Sequence, residues 1–122
     1  MRRTATLLTL LALAGCTTAN LGAGAVENQT QTRSVAGGPE SAYREALATA
    51  SMMRWDVSNS DAVALVFSAT TPGNGGRWAD RVNVVVRPDS VGSEITVRSN
   101  LGQGPNRRYI AEYLDAVEAA LR

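Results

Sequence analysis

Two stretches in the second half of the chain alternate apolar and polar residues. Val82, Val84 and Val86 stand against Arg81, Asn83 and Arg87, and Ile95 and Val97 stand against Glu94, Thr96 and Arg98. Neighbouring side chains of a strand point to opposite faces, so this pattern demands a sheet with one apolar and one polar face. Between the two stretches lies Pro88-Asp89-Ser90-Val91-Gly92, a run of turn formers that predicts an antiparallel hairpin. A sheet that is wet on one side must bury the other against a second layer.

The flanking sequence can supply that layer. From Glu40 to Arg54 the residues Tyr43, Ala46, Leu47, Ala50 and Met53 recur at three- and four-residue spacing, with Pro39, Glu40 and Glu45 suited to a helix start. From Asn106 to Leu121 a helical period returns through Ile110, Tyr113, Leu114, Val117 and Leu121. Between the first helix and the hairpin, Trp55 and Val57 suggest a short strand. Leu65, Phe67 and Ala69 suggest another over residues 62–70, with turns expected at Asn59-Ser60-Asp61 and at Pro72-Gly73-Asn74-Gly75-Gly76. The predicted fold is a small α+β two-layer sandwich over residues 39–122, in the order α-β-β-β-β-α, with an antiparallel meander and both helices on one face. Its expected core is Trp55, Leu65, Phe67, Val82, Val84, Val86, Ile95, Val97, Ile110, Leu114 and Val117.

The first residues have a different character. Met1-Arg2-Arg3 precedes an apolar run from Leu7 to Ala14, too short for a span of about twenty residues but of signal-peptide length. It ends in Leu13-Ala14-Gly15-Cys16, which resembles the lipobox of bacterial lipoproteins. That resemblance implies a signal over residues 1–15, removed on export, and Cys16 as lipid acceptor. An ordinary signal peptide with an incidental cysteine is the alternative. Cys16 is the only cysteine of the 122 residues, so no disulfide can form within the chain, and a lone free thiol outside the cell would be unusual. Two or three acyl chains hold a protein on a membrane far more firmly than one. With Thr17 next to the cysteine, the lipoprotein resemblance implies an exported protein anchored in the outer membrane of a two-membrane envelope, facing the periplasm. Residues 16–38, from Thr17 onward rich in Thr, Asn, Gln, Gly and Ala, are expected to form a flexible tether; about 22 such residues span roughly 25–30 Å.

Composition excludes more than it selects. All twelve basic residues are Arg, and there are eleven acidic residues and no His. Without His the commonest general base and metal ligand is missing, and without Lys there is no Schiff-base or Walker-type chemistry. Lipidation of Cys16 would remove thiol chemistry as well. The mature part, with ten Arg against eleven acids, is nearly neutral, so no nucleic acid partner is expected. No cofactor and no metal are expected; Asp56, Asp61 and Asp80 match no calcium-loop spacing.

Asp80-Arg81-Val82-Asn83-Val84, Ile95-Thr96-Val97-Arg98-Ser99 and Gly104-Pro105-Asn106-Arg107-Arg108-Tyr109-Ile110 together resemble the family called domain of unknown function 1499. Its members close with a strand ending Val-Arg-Ser, a glycine-containing loop, an Asn and an amphipathic helix. The likeness covers about forty residues. It departs from the family pattern at Ser99-Asn100-Leu101-Gly102, and the family's Asp-x-Gly is missing. It implies a small exported or membrane-associated domain and carries no function with it.

The loop from Arg98 to Arg108 is the main candidate site. A glycine-containing loop entering a helix can present N–H groups to an anion, with Arg98, Gly102, Gly104 and Arg107 as its expected lining. The competing reading is a plain strand-to-helix connection, with Asn106 as N-cap and the arginines paired with Asp80, Glu94 or Glu112. Arg81, Arg87 and Arg98 with Asn83, Glu94 and Thr96 could form a polar recognition face, or simply the solvated side of the sheet. Trp78, after the glycine-rich turn, either meets a partner or glycan or folds back on the core. Ser99 has no base in sequence to activate it as a nucleophile. The leading expectation is a membrane-tethered, non-catalytic lipoprotein that binds an unknown envelope protein. An anionic-ligand module is the alternative, and a hydrolase using carboxylates alone comes last, since it needs two facing acids in a cleft. Cys16→Ser should release the protein from the membrane fraction and block signal processing; unchanged fractionation and processing would contradict the anchor.

Overall fold

The computed structural model describes residues 29–102 and 104–122. The signal, Cys16 and the first part of the expected tether lie outside the described residues. The predicted hairpin is present as β4 (Arg81–Pro88) and β5 (Ser93–Ser99), with Val84 opposite Val97 and Val86 opposite Ile95. The turn is tied by Asp89: one carboxylate oxygen accepts the Val91 and Gly92 N–H groups at 2.9 and 2.8 Å, and the other accepts the Ser34 hydroxyl at 2.9 Å. The Gly92 N–H first and then the Ser34 hydroxyl hold this carboxyl below its usual range.

On the other side of β4 come β3 (Val66–Thr70) and β2 (Asp56–Asp61), all antiparallel. The turn joining β2 to β3 falls later than the sequence suggests. Asn59-Ser60-Asp61 stays in the strand, and residues 62–65 make the turn, with Val63 94 % exposed. Asp61 explains the shift, because its carboxylate accepts the Val63 and Ala64 N–H groups, both at 3.0 Å. That local side-chain bond outweighs the strand propensity of Ala62-Val63-Ala64-Leu65. Leu65 consequently sits in the turn at φ 60° and is only partly buried, instead of joining the core.

A fifth strand corrects the expected boundary at residue 38. β1 (Thr30–Val35) lies inside the stretch expected as tether and pairs antiparallel with β5, giving the sheet order β1-β5-β4-β3-β2. Its sequence TQTRSV carries one buried apolar residue, Val35, so hydrophobic alternation could not reveal it. Polar contacts hold it instead: Arg33 reaches Asp115 at 2.6 Å and Glu118 at 2.8 Å on the final helix. Gln31 donates from its amide to the Arg107 carbonyl at 2.9 Å. The domain therefore includes at least residues 29–38.

Helices α1 (Pro39–Met52) and α2 (Pro105–Ala120) pack on one face of the sheet and on each other. Both start with Pro in the first turn after a glycine cap, so the missing N–H costs nothing there. Every expected core residue except Leu65 is buried, and Val35, Ala42, Tyr43, Ala46, Ala50, Ala69 and Tyr113 join them. Alanines on α1 let the two helices approach closely enough for the Tyr113 hydroxyl to donate to the Ala46 carbonyl at 2.7 Å. Burial holds that phenol far above its ordinary range. Trp55, just outside β2, stacks on Tyr113 with ring centroids 4.2 Å apart. Leu114→Ala leaves a cavity where the side chain is 1 % exposed and should lower stability by about 2–4 kcal/mol. Urea unfolding checks this, and a loss under about 1 kcal/mol would contradict the packing.

Candidate functional site

The site is built where the end of β5 meets the start of α2. Asp80 shares strand parity with Val82, Val84 and Val86, so its side chain is driven to the buried face and is 2 % exposed. Ser99 shares parity with Ile95 and Val97 and is equally buried. A buried carboxylate needs donors. Asp80 takes the Ser99 hydroxyl on one oxygen, and on the other the Asn100 and Leu101 N–H groups at 3.1 and 3.0 Å. Its own backbone closes the preceding loop, accepting from Thr71 N–H at 2.8 Å and donating to Thr71 Oγ1 at 3.1 Å.

That clamp bends the chain after β5 under Gln29. Gln29 accepts the Ser99 N–H at 2.9 Å and donates from its amide to the Asn100 carbonyl at 3.1 Å. Gly102 is pressed against this residue: a Cβ there would stand 2.8 Å from Gln29 Cα, so only glycine fits. Gly104, at φ 57°, then turns the backbone into α2. Asn106 is not the N-cap; it lies inside the first turn of α2, and its amide donates to the Trp78 carbonyl at 3.0 Å. One side chain thus ties the loop 71–80 to the helix start.

The result is a cleft of about 390 Å³ lined by Gln29, Trp78, Asn100, Leu101, Pro105 and Asn106, within the ordinary range for small-ligand sites of roughly 300–1,000 Å³. Trp78 is 77 % exposed and Leu101 45 %, so the indole faces solvent at the rim rather than folding back on the core. Among the described residues no charged side chain lines this cleft. Its chemistry is an exposed aromatic face and an apolar floor beside three carboxamides, each with donors and an acceptor. A larger hollow of about 550 Å³ at the start of α1 is more open and has no aromatic in its lining.

The expected anion site is not assembled. Gly102 and Gly104 are in the predicted loop, but Arg98 points to the outer sheet face, between the inward-facing Val97 and Ser99 and opposite Asn83 and Thr30. Arg107 is on α2, across the sheet from it. Nor do Arg98 and Arg108 form the ion pairs of the competing reading: among the described residues, Arg33 pairs with Asp115 and Glu118, and Arg122 with Glu118. On the outer face the Ser68 hydroxyl donates to Asn83 Oδ1 at 2.6 Å, and the Thr32 and Thr96 hydroxyls meet at 3.3 Å. No cluster of three possible metal-ligating side chains occurs among the described residues, and none of their helices is long and apolar enough to cross a membrane.

Behind the cleft, the Arg77 guanidinium lies 3.5 Å over the Tyr109 ring, a contact worth about 0.5–2 kcal/mol. Tyr109 in turn accepts the Trp55 indole N–H at 2.7 Å. The loop is therefore moored to the core through Arg77, Tyr109, Trp55 and Tyr113. No family model matches the chain, and no curated protein matches it either. Asp80→Ala would leave the Ser99 hydroxyl and the Asn100 and Leu101 N–H groups without their acceptor. Stability should fall by about 2–4 kcal/mol, and amide exchange at residues 99–102 should accelerate; an unchanged urea midpoint would refute the clamp.

Proposed function

We propose that the protein is an exported lipoprotein, anchored through acylated Cys16, whose domain is a non-catalytic binding module that takes its ligand in the cleft beside Trp78. The carrying observation is the exposed indole at the rim of a cleft floored by Leu101 and Pro105 and edged by Asn and Gln amides. A ligand that covers this ring removes a large apolar area from water, which favours its binding there. The one buried carboxylate among the described residues, Asp80, has both oxygens engaged in holding the loop, which favours binding over hydrolysis catalysed by carboxylates. The lipobox at Leu13-Ala14-Gly15-Cys16 and the Thr17 that follows favour the outer membrane of a two-membrane envelope, with the cleft facing the periplasm.

A photoreactive residue placed at Leu101 in living cells tests this. It should give adducts that vanish when Trp78→Ala is added, while the same residue at Val63, 94 % exposed on the far turn, should give none. Equal labelling from both positions, or adducts indifferent to Trp78→Ala, would overturn the reading.

A further inference from the structure

Beside the Trp78 cleft lies a second hollow of about 260 Å³, lined by Asn74, Arg77, Pro105, Arg108, Tyr109 and Glu112. Pro105 belongs to both hollows, and the short loop between them divides its side chains: Trp78 faces the first, Arg77 the second. The two hollows adjoin at Pro105. Their chemistry differs. The first has an indole and neutral amides, while the second has two guanidiniums against one carboxylate, Glu112. Neither Arg77 nor Arg108 forms an ion pair among the described residues. The Nη1 of Arg77 is buried with no hydrogen-bond partner, although a buried guanidinium N–H ordinarily has one. The Tyr109 ring lies 3.5 Å from that guanidinium, and a guanidinium is a donor fork suited to carboxylate or phosphate oxygens.

We propose that the two hollows form one bipartite site for an anionic saccharide: a sugar ring lies on Trp78 with its hydroxyl or acetamido groups on Asn100 and Gln29, and its acidic substituent reaches Arg77 and Arg108. A sugar suits the first half because its ring has an apolar C–H face for the indole and polar edges for amides. The acid suits the second because two guanidiniums face one carboxylate there. This inference rests on the Trp78 cleft being the binding site.

The test compares two probes with the full chain by calorimetry at low and high salt. One is chitobiose, which is neutral; the other is the N-acetylglucosaminyl–N-acetylmuramic acid disaccharide, which adds a lactyl carboxylate. The acidic disaccharide should bind at least roughly tenfold more tightly than the neutral one at low salt, and the advantage should shrink as salt rises. Arg108→Gln and Arg77→Gln should each reduce that advantage, and Trp78→Ala should abolish binding of both sugars. Arg108→Gln is the safer variant, since Arg108 is exposed and its loss leaves the Arg77–Tyr109 contact intact. Equal affinity for the two probes, or no binding of either, overturns the proposal. Equal affinity that still depends on Trp78 leaves the cleft standing and removes only the acidic half, whereas undiminished binding by Trp78→Ala removes the cleft itself.

Discussion

The Asp80 carboxylate, buried at the sheet end and filled by one hydroxyl and two backbone N–H groups, is the contact on which the cleft depends. It joins the residue before β4 to the residues after β5, so it fixes the direction in which the chain leaves the sheet. From there Gln29 and Gly102 pack without space for a side chain, and α2 begins with Pro105 beside Trp78. If the carboxylate were unfilled it would be a penalty of several kcal/mol; filled, it makes a rigid corner from residues that are otherwise loop.

Rigidity at that corner has a second source. Trp55, Tyr109 and Tyr113 connect the apolar layer to the loop, and Arg77 completes the stack over Tyr109. The exposed Trp78 is thereby presented by a backbone fixed from both sides, through Asn106 to its carbonyl and through Arg77 next to it. An aromatic so held loses little conformational freedom when a ligand covers it. Residues of the thin hydrophobic core and residues lining the cleft are, in this domain, one or two contacts apart.

The hairpin and both helices were legible because their side chains obey periods of two and 3.6, and burial follows those periods residue by residue. Asp80 and Ser99 were legible by the same rule, since they continue the inward parity of Val82 and Val97, yet their polarity hid them among surface groups. β1 was not legible: Thr30–Val35 is held by register with β5 and by Arg33 and Gln31, long-range partners that no local pattern announces. The β2–β3 turn moved because an Asp61 side-chain bond is stronger than an apolar run is persuasive. The loop before α2 was the candidate site in the sequence; of its expected lining Gly102 borders the cleft, whereas Arg98 and Arg107 do not. Arg98 lies on the strand face turned away from the helices, and the groups that do line the cleft, Trp78 and Gln29, come from segments distant in sequence.

The chain has two tryptophans, Trp55 in the core at 5 % exposure and Trp78 at the rim at 77 %, so their indole N–H signals report the core and the cleft separately. Titration of the full chain with the N-acetylglucosaminyl–N-acetylmuramic acid disaccharide, followed by ¹H–¹⁵N correlation spectra, tests whether the sugar occupies the cleft. Occupancy of the cleft should give a saturable shift of the Trp78 indole signal, with neighbouring amides of Asn100 and Leu101 moving along the same isotherm and the Trp55 signal stationary. A Trp78 signal unmoved at saturating sugar, or both indoles shifting together, would contradict it.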